Sequence, residues 1–250
     1  MSDDVIIKVS DLSAGYGDTA LLEHVSFEVK RGEVFVILGG SGCGKSTLLK
    51  HLIGLLPPLA GEVFIDGGNL APASGEDRQK ILRRIGVGYQ SGALFGSMTL
   101  AENITLPIEE FTTLPPEARE AIAWTKLKLV GLESFTGHLP AEISGGMQKR
   151  AAIARAMALD PQVLFLDEPS AGLDPVTSAE LDALILHLRD ALGVTFVIVS
   201  HELASIYAVA DRVIMLDKKA KGIIAEGRAQ DLRDHSKDPF VHKFFHREAI

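Results

Sequence analysis

A glycine-rich segment that follows an apolar run constrains the fold of this 250-residue chain more than any other feature. The run from Val34 to Leu38 is typical of a buried strand, and the leucines between Lys45 and Ile53 recur at helical spacing. The segment between them matches the whole P-loop pattern, GxxxxGK[ST], with the residues Gly39, Gly40, Ser41, Gly42, Cys43, Gly44, Lys45 and Ser46. Since the pattern requires a strand before it and a helix after it, the sequence predicts a loop that binds nucleotide phosphates.

The residue types of this loop suit contact with ATP and Mg²⁺. Glycines allow successive backbone N–H groups to curl around phosphate oxygens, and the helix N-terminus adds a partial positive charge. Lys45 is predicted to reach the β and γ phosphates, and the Ser46 hydroxyl to ligate the Mg²⁺ that bridges them. Cys43 and Thr47 are counted with the nucleotide-binding residues. Thr47 is nevertheless expected to cap the helix or to pack, and the pattern requires no task of the Cys43 side chain.

Two carboxylates follow a second apolar run. Val163 to Leu166 is typical of a buried strand, and Asp167 and Glu168 come directly after it. An open α/β sheet binds its ligand beyond the carboxyl ends of its strands. Asp167 is therefore predicted to hold Mg²⁺, directly or through water, and Glu168 to polarise the attacking water. The sequence leaves open whether Glu168 removes the proton fully or only orients the water.

Composition narrows the class of protein. Apolar residues make up 46% of the chain, which is ample for a core, but no apolar run approaches the roughly 20 residues of a membrane helix. The acidic start at residues 1–4 lacks the features of a signal peptide, so a cytoplasmic protein is expected. The single cysteine excludes an internal disulfide framework, and the net charge of −8 argues against nucleic acid as a partner.

The order of patterns along the chain predicts an α/β fold. Strand-like segments at 5–10 and 24–29, joined by a turn-rich connector at 14–18, predict an N-terminal antiparallel sheet. Helical patterns at 98–130, interrupted by Pro107 and by Pro115-Pro116, predict a helical subdomain with a longer helix at 118–130. After Ser144, helices and strands alternate, which is typical of parallel strands. The segments 212–216 and 222–225 are expected to form a hairpin.

One further motif allows a family to be named. The segment Ile143-Ser144-Gly145-Gly146-Met147-Gln148 resembles the signature motif of ABC ATPases, and it lies just before Asp167-Glu168, as in that family. The remaining motifs of the family follow in order, and they are Tyr16 for adenine stacking, Gln90 for the Q-loop, Ser170 to Asp174 for the D-loop and His201 for the switch histidine. The resemblance covers about residues 5 to 230. Each motif is weak alone, and their joint order around a full P-loop makes them specific.

The resemblance implies a fold and a dimeric mechanism. It implies a P-loop NTPase core of the ABC-ATPase type at 1–230, with a helical signature subdomain at about 92–158, followed by a helical tail at 231–250. It also implies a head-to-tail dimer in which each ATP lies between the P-loop of one copy and Ser144, Gly145 and Gly146 of the other. The helix start at these three residues suits an anion physically, because backbone N–H groups and a hydroxyl are accessible there.

Catalytic roles also follow from the resemblance. Glu168, His201, Gln90 and Lys45 are implied to be catalytic, with Gln90 touching Mg²⁺ and water while it senses the membrane partner. His201 would contact the γ-phosphate, and Asp174 would communicate across the dimer. One residue departs from the family pattern, because Met147 stands where a glutamine is usual and Gln148 follows one place later. The departure questions a role of the glutamine side chain near phosphate, while the backbone donors are retained.

The same departure points to a subgroup. Ser-Gly-Gly-Met together with the segment 90–95 and the segment 167–177 resembles the ATPases of Mla-type lipid transporters. That resemblance implies permease subunits, an MCE-domain protein and a small STAS-domain subunit as partners, and a place on the cytoplasmic face of the inner membrane through the permease. Two alternatives remain, an importer ATPase for a polar solute and an ABC ATPase that works without a membrane partner. The direction of transport and the lipid head group are not encoded in these motifs.

The sequence indicates two apolar surfaces for which more than one binding partner is expected. In the family, the region from Gln90 to Ile143 receives coupling helices of the permease, and Leu94 and Phe95 are candidates to line that groove or to join the core. At the C-terminus, Asp238 and Pro239 are typical of a helix start, and the helix carries an apolar stripe. This stripe is expected to pack on its own domain, on a second subunit or on a membrane.

Overall fold

The computed structural model of the protein describes residues 4–248, so the first three residues of the acidic start and the last two of the tail lie outside it. The strands are β1 (Val5–Tyr16), β2 (Thr19–Lys30), β3 (Val34–Gly39), β4 (Ala60–Ile65), β5 (Gly68–Asn69), β6 (Ile85–Gly88), β7 (Val163–Asp167), β8 (Thr195–Val199), β9 (Arg212–Asp217) and β10 (Gly222–Gly227). The helices are α1 (Lys45–Leu52), α2 (Gly75–Leu82), α3 (Leu100–Phe111), α4 (Pro116–Leu129), α5 (Gly145–Ala156), α6 (Pro175–Leu192), α7 (Leu203–Val209), α8 (Ala229–His235) and α9 (Pro239–His246). Among these residues, no helix combines the length and apolar character that a membrane crossing requires.

Two sheets form the framework. The first is antiparallel with the strand order β2-β1-β4-β5, and the second has the order β10-β9-β3-β8-β7-β6. In the second sheet, β9, β3, β8, β7 and β6 are parallel and β10 pairs antiparallel with β9. The predicted α/β class, with an antiparallel N-terminal sheet and parallel strands after it, is confirmed.

The β3 strand separates two hydrophobic cores. Its side chains alternate between the two faces of the sheet, as the period of a strand dictates. Val36 and Leu38 belong to the core that helices α3 to α7 cover, whereas Phe35 and Ile37 belong to the core shared with the antiparallel sheet and α1. The ring of Phe27 in β2 stacks on Phe35 at a centroid distance of 5.2 Å, which fastens one sheet to the other. The strand before the P-loop is thus held from both sides.

The N-terminal hairpin is longer than predicted. The chain pairs from Val5 to Lys30 with a turn at Gly17 and Asp18, so most of the predicted connector at 14–18 is strand. The pairing contains several register shifts, and Asp11 and His24 have positive φ angles of 50° and 54°. These irregularities interrupt the simple alternation of apolar residues, which explains why the pattern underestimates both strands.

The prediction that Pro107 interrupts the helical region is wrong. Pro107 lies inside α3, whereas the predicted break at Pro115-Pro116 is confirmed, because Pro115 precedes α4 and Pro116 is its first residue. An interior proline costs a helix about 3 kcal/mol. The buried face of α3, formed by Leu100, Ile104 and Ile108, outweighs that cost through its packing in the core.

The start of α3 is fixed by a capping box. The Thr99 hydroxyl accepts a hydrogen bond from the Glu102 backbone N–H at 3.2 Å, and the Glu102 carboxylate accepts one from the Thr99 N–H at 2.7 Å. Two N–H groups that the helix itself cannot satisfy are thereby paired. The cap sets the position at which the chain leaves the Q-loop region and enters α3.

The C-terminal helix packs on its own chain. Asp238 caps α9 through hydrogen bonds from the backbone N–H groups of Phe240 and Val241, as the sequence predicts. Val241 and Phe245 are buried, and the Phe245 ring lies 6.1 Å from the ring of Tyr207 in α7. Of the three expected partners for this apolar stripe, the chain itself covers these two side chains.

Candidate nucleotide-binding and hydrolysis site

The carboxyl ends of three neighbouring parallel strands bring the predicted site together. In the sheet, β3 lies beside β8 and β8 beside β7. Gly39 ends β3 and opens the P-loop, Asp167 ends β7, and His201 follows β8 after a single serine. Because parallel strands deliver their carboxyl ends to one edge, three motifs that are far apart in sequence are placed along one line.

The P-loop begins with a glycine that no other residue can replace without displacement of its neighbours. Gly39 has a φ of 149°, and a Cβ at this position would lie 2.5 Å from Cys43 Sγ and 2.6 Å from the Leu216 carbonyl oxygen. Such distances are far inside van der Waals contact, so the close turn into the loop depends on glycine. Lys45 folds back over the loop and donates to the carbonyl oxygens of Gly39 and Gly40 at 2.8 and 3.1 Å. The ammonium group is therefore held above the loop backbone.

Cys43 and Thr47 lie beneath this surface. Both side chains are buried, and burial raises the pKa of the Cys43 thiol. Thr47 packs into the interior, as expected, and its hydroxyl lies 3.5 Å from the Tyr16 hydroxyl. Ser41 and Ser46 of the same loop are exposed.

Asp167 has the environment of a cation ligand. Its Oδ1 is buried and, within residues 4–248, has no hydrogen-bond partner. Burial and the adjacent Glu168 carboxylate raise the pKa of Asp167, while a hydrogen bond with Ser46 lowers it. An unsatisfied buried oxygen is costly unless something pairs with it. A carboxylate oxygen beside a serine hydroxyl is the donor set that Mg²⁺ prefers, so the residues fit the predicted ion.

Glu168 is held in an uncommon backbone conformation. Its φ is 47°, in the left-handed region, which is energetically unfavourable for any residue other than glycine. Its N–H donates to the Val199 carbonyl at 2.8 Å. The side chain is 12% exposed and Oε1 lies 2.7 Å from His201 Nδ1, whose own side chain is 63% exposed. The structure thus brings together the two residues predicted as water-polarising base and switch histidine.

Tyr16 projects from the end of β1 toward α1. The tyrosine is 47% exposed, and its hydroxyl accepts a hydrogen bond from Lys50 Nζ at 3.1 Å. The hydrogen bonds from Thr47 and Lys50 lower the pKa of Tyr16. Lys50 also lies over the ring, 5.5 Å from its centroid. An exposed ring with a fixed hydroxyl has the geometry for stacking on a planar base.

Side chains of α5 fasten the Q-loop backbone, a feature absent from the sequence predictions. Lys149 donates to the Gln90 carbonyl, and Arg155 donates to the carbonyls of Ala93 and Gly92 at 2.7 and 3.2 Å. Burial lowers the pKa of Lys149, and Glu168 opposes this effect. Gln90 itself is exposed. The Q-loop is therefore tied to the helix that carries the signature motif, and only the tertiary structure reveals these contacts.

The signature segment forms an exposed helix start. Ser144 is the N-cap of α5 and accepts a hydrogen bond from the Met147 N–H at 3.3 Å. Ser144 and Gly145 are exposed, whereas Gly146 is buried against Thr177 of α6. The displaced Gln148 donates from Nε2 to the Pro140 carbonyl at 2.9 Å, so its amide supports the preceding turn. The D-loop ends nearby at Asp174, whose carboxylate caps α6.

A comparison with family models decides the family. Residues 22–171 match the model described as ABC transporter. The chain belongs to the ABC transporter family. This match contains the P-loop, the Q-loop, the signature segment and the two strand-end carboxylates, whereas Tyr16 and His201 lie outside it.

Relatives within this ABC transporter family cover nearly the whole chain. Two proteins named intermembrane phospholipid transport system ATP-binding protein MlaF are similar, one from Haemophilus influenzae at 38% identity over 98% of this chain and 91% of that protein, and one from Escherichia coli at 39% over 96% and 88%. A protein named probable ribonucleotide transport ATP-binding protein mkl, from Mycobacterium leprae, is 40% identical over 98% of this chain and 70% of that protein.

Solved structures of ABC proteins share the fold. A dimeric ATP-binding cassette in a post-hydrolysis state, bound to ADP and Pi, has a TM-score of 0.78 at 31% identity and covers 89% of this chain and 98% of its own. The cbiO1 protein of Clostridium perfringens, a part of the ABC transporter complex cbiONQ, has a TM-score of 0.82 at 28% identity and covers 98% of both chains. The predicted ABC-ATPase type of fold is confirmed.

Proposed function

We propose that this ABC ATPase hydrolyses ATP as a head-to-tail dimer to power phospholipid transport between bacterial membranes. The observation that carries the proposal is the alignment of the P-loop, Asp167-Glu168 and His201 at the carboxyl ends of β3, β7 and β8. The lipid substrate is supported by the relatives named phospholipid transport proteins, which are 38% and 39% identical over nearly the whole chain. The dimer is supported by the exposed second anion-binding helix start at Ser144 and Gly145.

The P-loop and Tyr16 would hold the two ends of ATP. Backbone N–H groups of residues 39–46 surround the phosphates, and Lys45, which folds over the loop, supplies a positive charge to the β and γ phosphates. Tyr16 would stack on the adenine with its exposed ring. Ser46, Asp167 and Gln90 would hold Mg²⁺, which neutralises charge on the phosphate oxygens when it is bound.

Glu168 and His201 would act on the attacking water and the γ-phosphate. Glu168 polarises the water as it attacks, and its hydrogen-bond partner His201 fixes the direction of the carboxylate. The strained backbone of Glu168 supports this role, because such conformations concentrate at functional sites. Ser144, Gly145 and Gly146 of a second copy would close the site over the γ-phosphate, and Asp174 would connect the two copies.

A cleft beside the Q-loop would receive the permease. Its volume is about 650 Å³, and β6, α3 and α5 border it. Phe95 is 51% exposed at its rim, and the guanidinium of Arg155 lies 5.9 Å from the ring centroid. The fully buried Asn103 holds the Phe95 backbone, accepting from its N–H at 2.8 Å and donating to its carbonyl at 3.1 Å. A mainly apolar cleft suits an apolar helix end of a membrane partner.

The finer assignments belong to the same proposal. The ATPase unit spans about residues 1–230, with the helical subdomain at about 92–158 and the tail at 231–250. An MCE-domain protein and a small STAS-domain subunit join the permease, and the assembly places this chain on the cytoplasmic face of the inner membrane. The similarity to MlaF proteins supports these partners, since those relatives are named as parts of a phospholipid transport system.

A second candidate is an ATPase for transport of a polar solute. The observation that favours it is the 40% identity to a protein named for probable ribonucleotide transport. The chemistry of hydrolysis would be the same, and only the transport partner would differ. Substrate contacts in either case would belong to the membrane subunits.

The test measures ATP hydrolysis by the chain, alone and with its co-purified membrane partner in phospholipid vesicles, beside Glu168→Gln. Turnover that requires the partner and is lost in Glu168→Gln, while ATP still drives dimer formation, is the expected result. Glu120→Gln, an exposed glutamate of α4, is the matched control and should hydrolyse like the parent. Hydrolysis by Glu168→Gln at the parent rate would refute the assigned base. Stimulation of turnover by a ribonucleotide other than ATP, with transfer of no labelled phospholipid, would favour the second candidate.

A further inference from the structure

Helix α1 carries more than the phosphate loop. Thr47, Lys50 and His51 have the i, i+3, i+4 spacing that places side chains on one face of a helix. All three point to the end of β1, where Lys50 and Thr47 contact the Tyr16 hydroxyl. His51 contacts Gly15, the residue before Tyr16. The helix that begins at the P-loop lysine is thus also the support of the predicted base-stacking residue.

The contact of His51 is with backbone atoms. The imidazole is 1% exposed, and its Nε2 accepts a hydrogen bond from the Gly15 N–H at 3.0 Å and lies 3.2 Å from the Gly15 carbonyl oxygen. When Nε2 accepts, the proton of the neutral ring is on Nδ1, which is buried and has no hydrogen-bond partner among residues 4–248. Burial lowers the pKa of His51, and backbone groups of Gly15, Leu56 and Pro57 oppose this effect.

The strand end at Gly15 leaves little room for adjustment. A Cβ on Gly15 would lie 1.9 Å from the Thr19 carbonyl oxygen, so the hairpin backbone is tightly closed at this residue. Its N–H points to His51 in the protein interior, where an unpaired donor would cost about 1 to 3 kcal/mol. His51 Nε2 accepts this hydrogen bond and thereby fixes the distance between α1 and the next residue, Tyr16.

We propose that His51 is a positioning residue for base recognition, which anchors Gly15 to α1 so that Tyr16 is held at a fixed distance from the P-loop. The inference rests on the proposed stacking of Tyr16 on adenine. Helix α1 then fixes the distance between the two ends of the nucleotide-binding site, because its first turn contacts the phosphates and its last turn positions the Tyr16 ring. His51 acts on the base alone, because its contacts lie at the end of the helix opposite to Lys45 and Ser46.

The test compares the binding of ATP and of inorganic tripolyphosphate, which has no base, by calorimetry. His51→Leu retains an apolar filling but removes the acceptor, and we expect it to weaken ATP about 2- to 10-fold, the value of one hydrogen bond. Tripolyphosphate affinity should be unchanged. The Michaelis constant for ATP should rise by the same factor with an unchanged kcat. His51→Gln, whose amide oxygen reaches the place of Nε2, should restore ATP affinity, and the shorter His51→Asn should not.

A double-mutant cycle with Tyr16→Ala separates the alternatives. If His51 acts through Tyr16, His51→Leu should have no further effect on ATP affinity in the Tyr16→Ala background. Additive effects, or an equal loss of tripolyphosphate binding, would overturn the positioning role. If Tyr16→Ala weakens ATP and His51→Leu does not, only the inference fails. If Tyr16→Ala binds ATP like the parent, the proposed base contact is wrong and the inference fails with it. Should His51→Leu not fold, the contrast between Gln and Asn carries the test.

Discussion

His201 Nδ1 lies 2.7 Å from Glu168 Oε1, and this hydrogen bond joins the residues that follow two neighbouring strands of the parallel sheet. Because Glu168 accepts through one oxygen, the direction of its other oxygen is fixed. In the proposed mechanism, His201 therefore orients the carboxylate before water attacks the γ-phosphate.

His201→Ala should therefore lower kcat for ATP hydrolysis by about 100-fold, at the lower end of acid-base contributions, with a smaller change in ATP affinity. Phosphate release by the permease-bound protein measures the effect. His187→Ala is the matched control, because His187 is an exposed histidine of α6. Unchanged turnover in His201→Ala would remove this histidine from the mechanism.

The signature glycines should differ in their tolerance of a methyl group. A Cβ on Gly146 would lie 2.3 Å from Thr177 Cγ2, whereas a Cβ on Gly145 would meet no atom of residues 4–248 within 4 Å. Thr177 cannot turn away freely, since its hydroxyl donates to Asp174 at 2.6 Å. Gly146→Ala should lower the free energy of unfolding by about 1 to 3 kcal/mol, the usual cost of overpacking. Gly145→Ala should not lower it.

A compensating change sharpens this prediction. Thr177→Ser removes the methyl group that clashes and keeps the hydroxyl that Asp174 accepts from. The double variant Gly146→Ala, Thr177→Ser should recover most of the lost stability in urea denaturation. Equal stability of Gly145→Ala and Gly146→Ala would show that the two helices can separate at no cost.

Asp182 on α6 should make stability depend on pH. Burial raises the pKa of Asp182, a hydrogen bond with Ser205 opposes the rise, and Glu202 adds to it. The folded chain then binds more protons than the unfolded chain between the two pKa values, so this contribution to stability falls as pH rises through that window. Asp182→Asn should gain stability relative to the parent as pH rises above about 4, with no gain below it.

Urea denaturation of both proteins across that pH range measures the difference. Asp190→Asn is the opposite control, because its hydrogen bond with Arg189 lowers the pKa of Asp190. Loss of the Asp190 carboxylate should lower the free energy of unfolding at neutral pH, and this loss of stability should disappear as pH drops below about 4. If the stabilities of the two variants relative to the parent change with pH in the same direction, the predicted effect of Asp182 is wrong.

The C-terminal helix should contribute to the stability of the domain. Phe245 is buried, and its ring lies beside the ring of Tyr207 in α7. Phe245→Ala should lower the free energy of unfolding by about 3 kcal/mol through the cavity that it leaves. His246→Ala, at the exposed neighbouring position, should have little effect. If both variants unfold like the parent, the apolar stripe is not covered by its own chain in solution.

Local patterns predicted those parts of the protein in which one segment contains all the information. The strand, loop and helix around Lys45 need no distant residue, and neither does the alternation of β7, α6 and β8. The sequence underestimated the first hairpin, because register shifts interrupt its alternation. Pro107 was predicted as a break since local propensity cannot show that the opposite face of α3 is buried.

The site residues that belong to motifs stay predictions, and the structure places the P-loop, Asp167-Glu168 and His201 at one edge of the sheet. Residues that only tertiary contacts reveal were missed. Lys149 and Arg155 read as ordinary basic residues of a helix, yet they hold the Q-loop backbone. His51 reads as one polar residue among leucines, and its partner Gly15 is 36 positions earlier. No spacing rule connects such residues, because the fold alone brings them together.

Cys43 is the only cysteine of the chain, and it is 3% exposed beneath the P-loop. Because burial raises the pKa of its thiol, a soluble alkylating reagent finds neither an accessible sulfur nor a substantial thiolate fraction. Labelling must wait until the segment between β3 and α1 opens locally. The protein thus contains a single-atom reporter of that opening, and the labelling rate with and without nucleotide would measure how strongly a ligand keeps the loop closed.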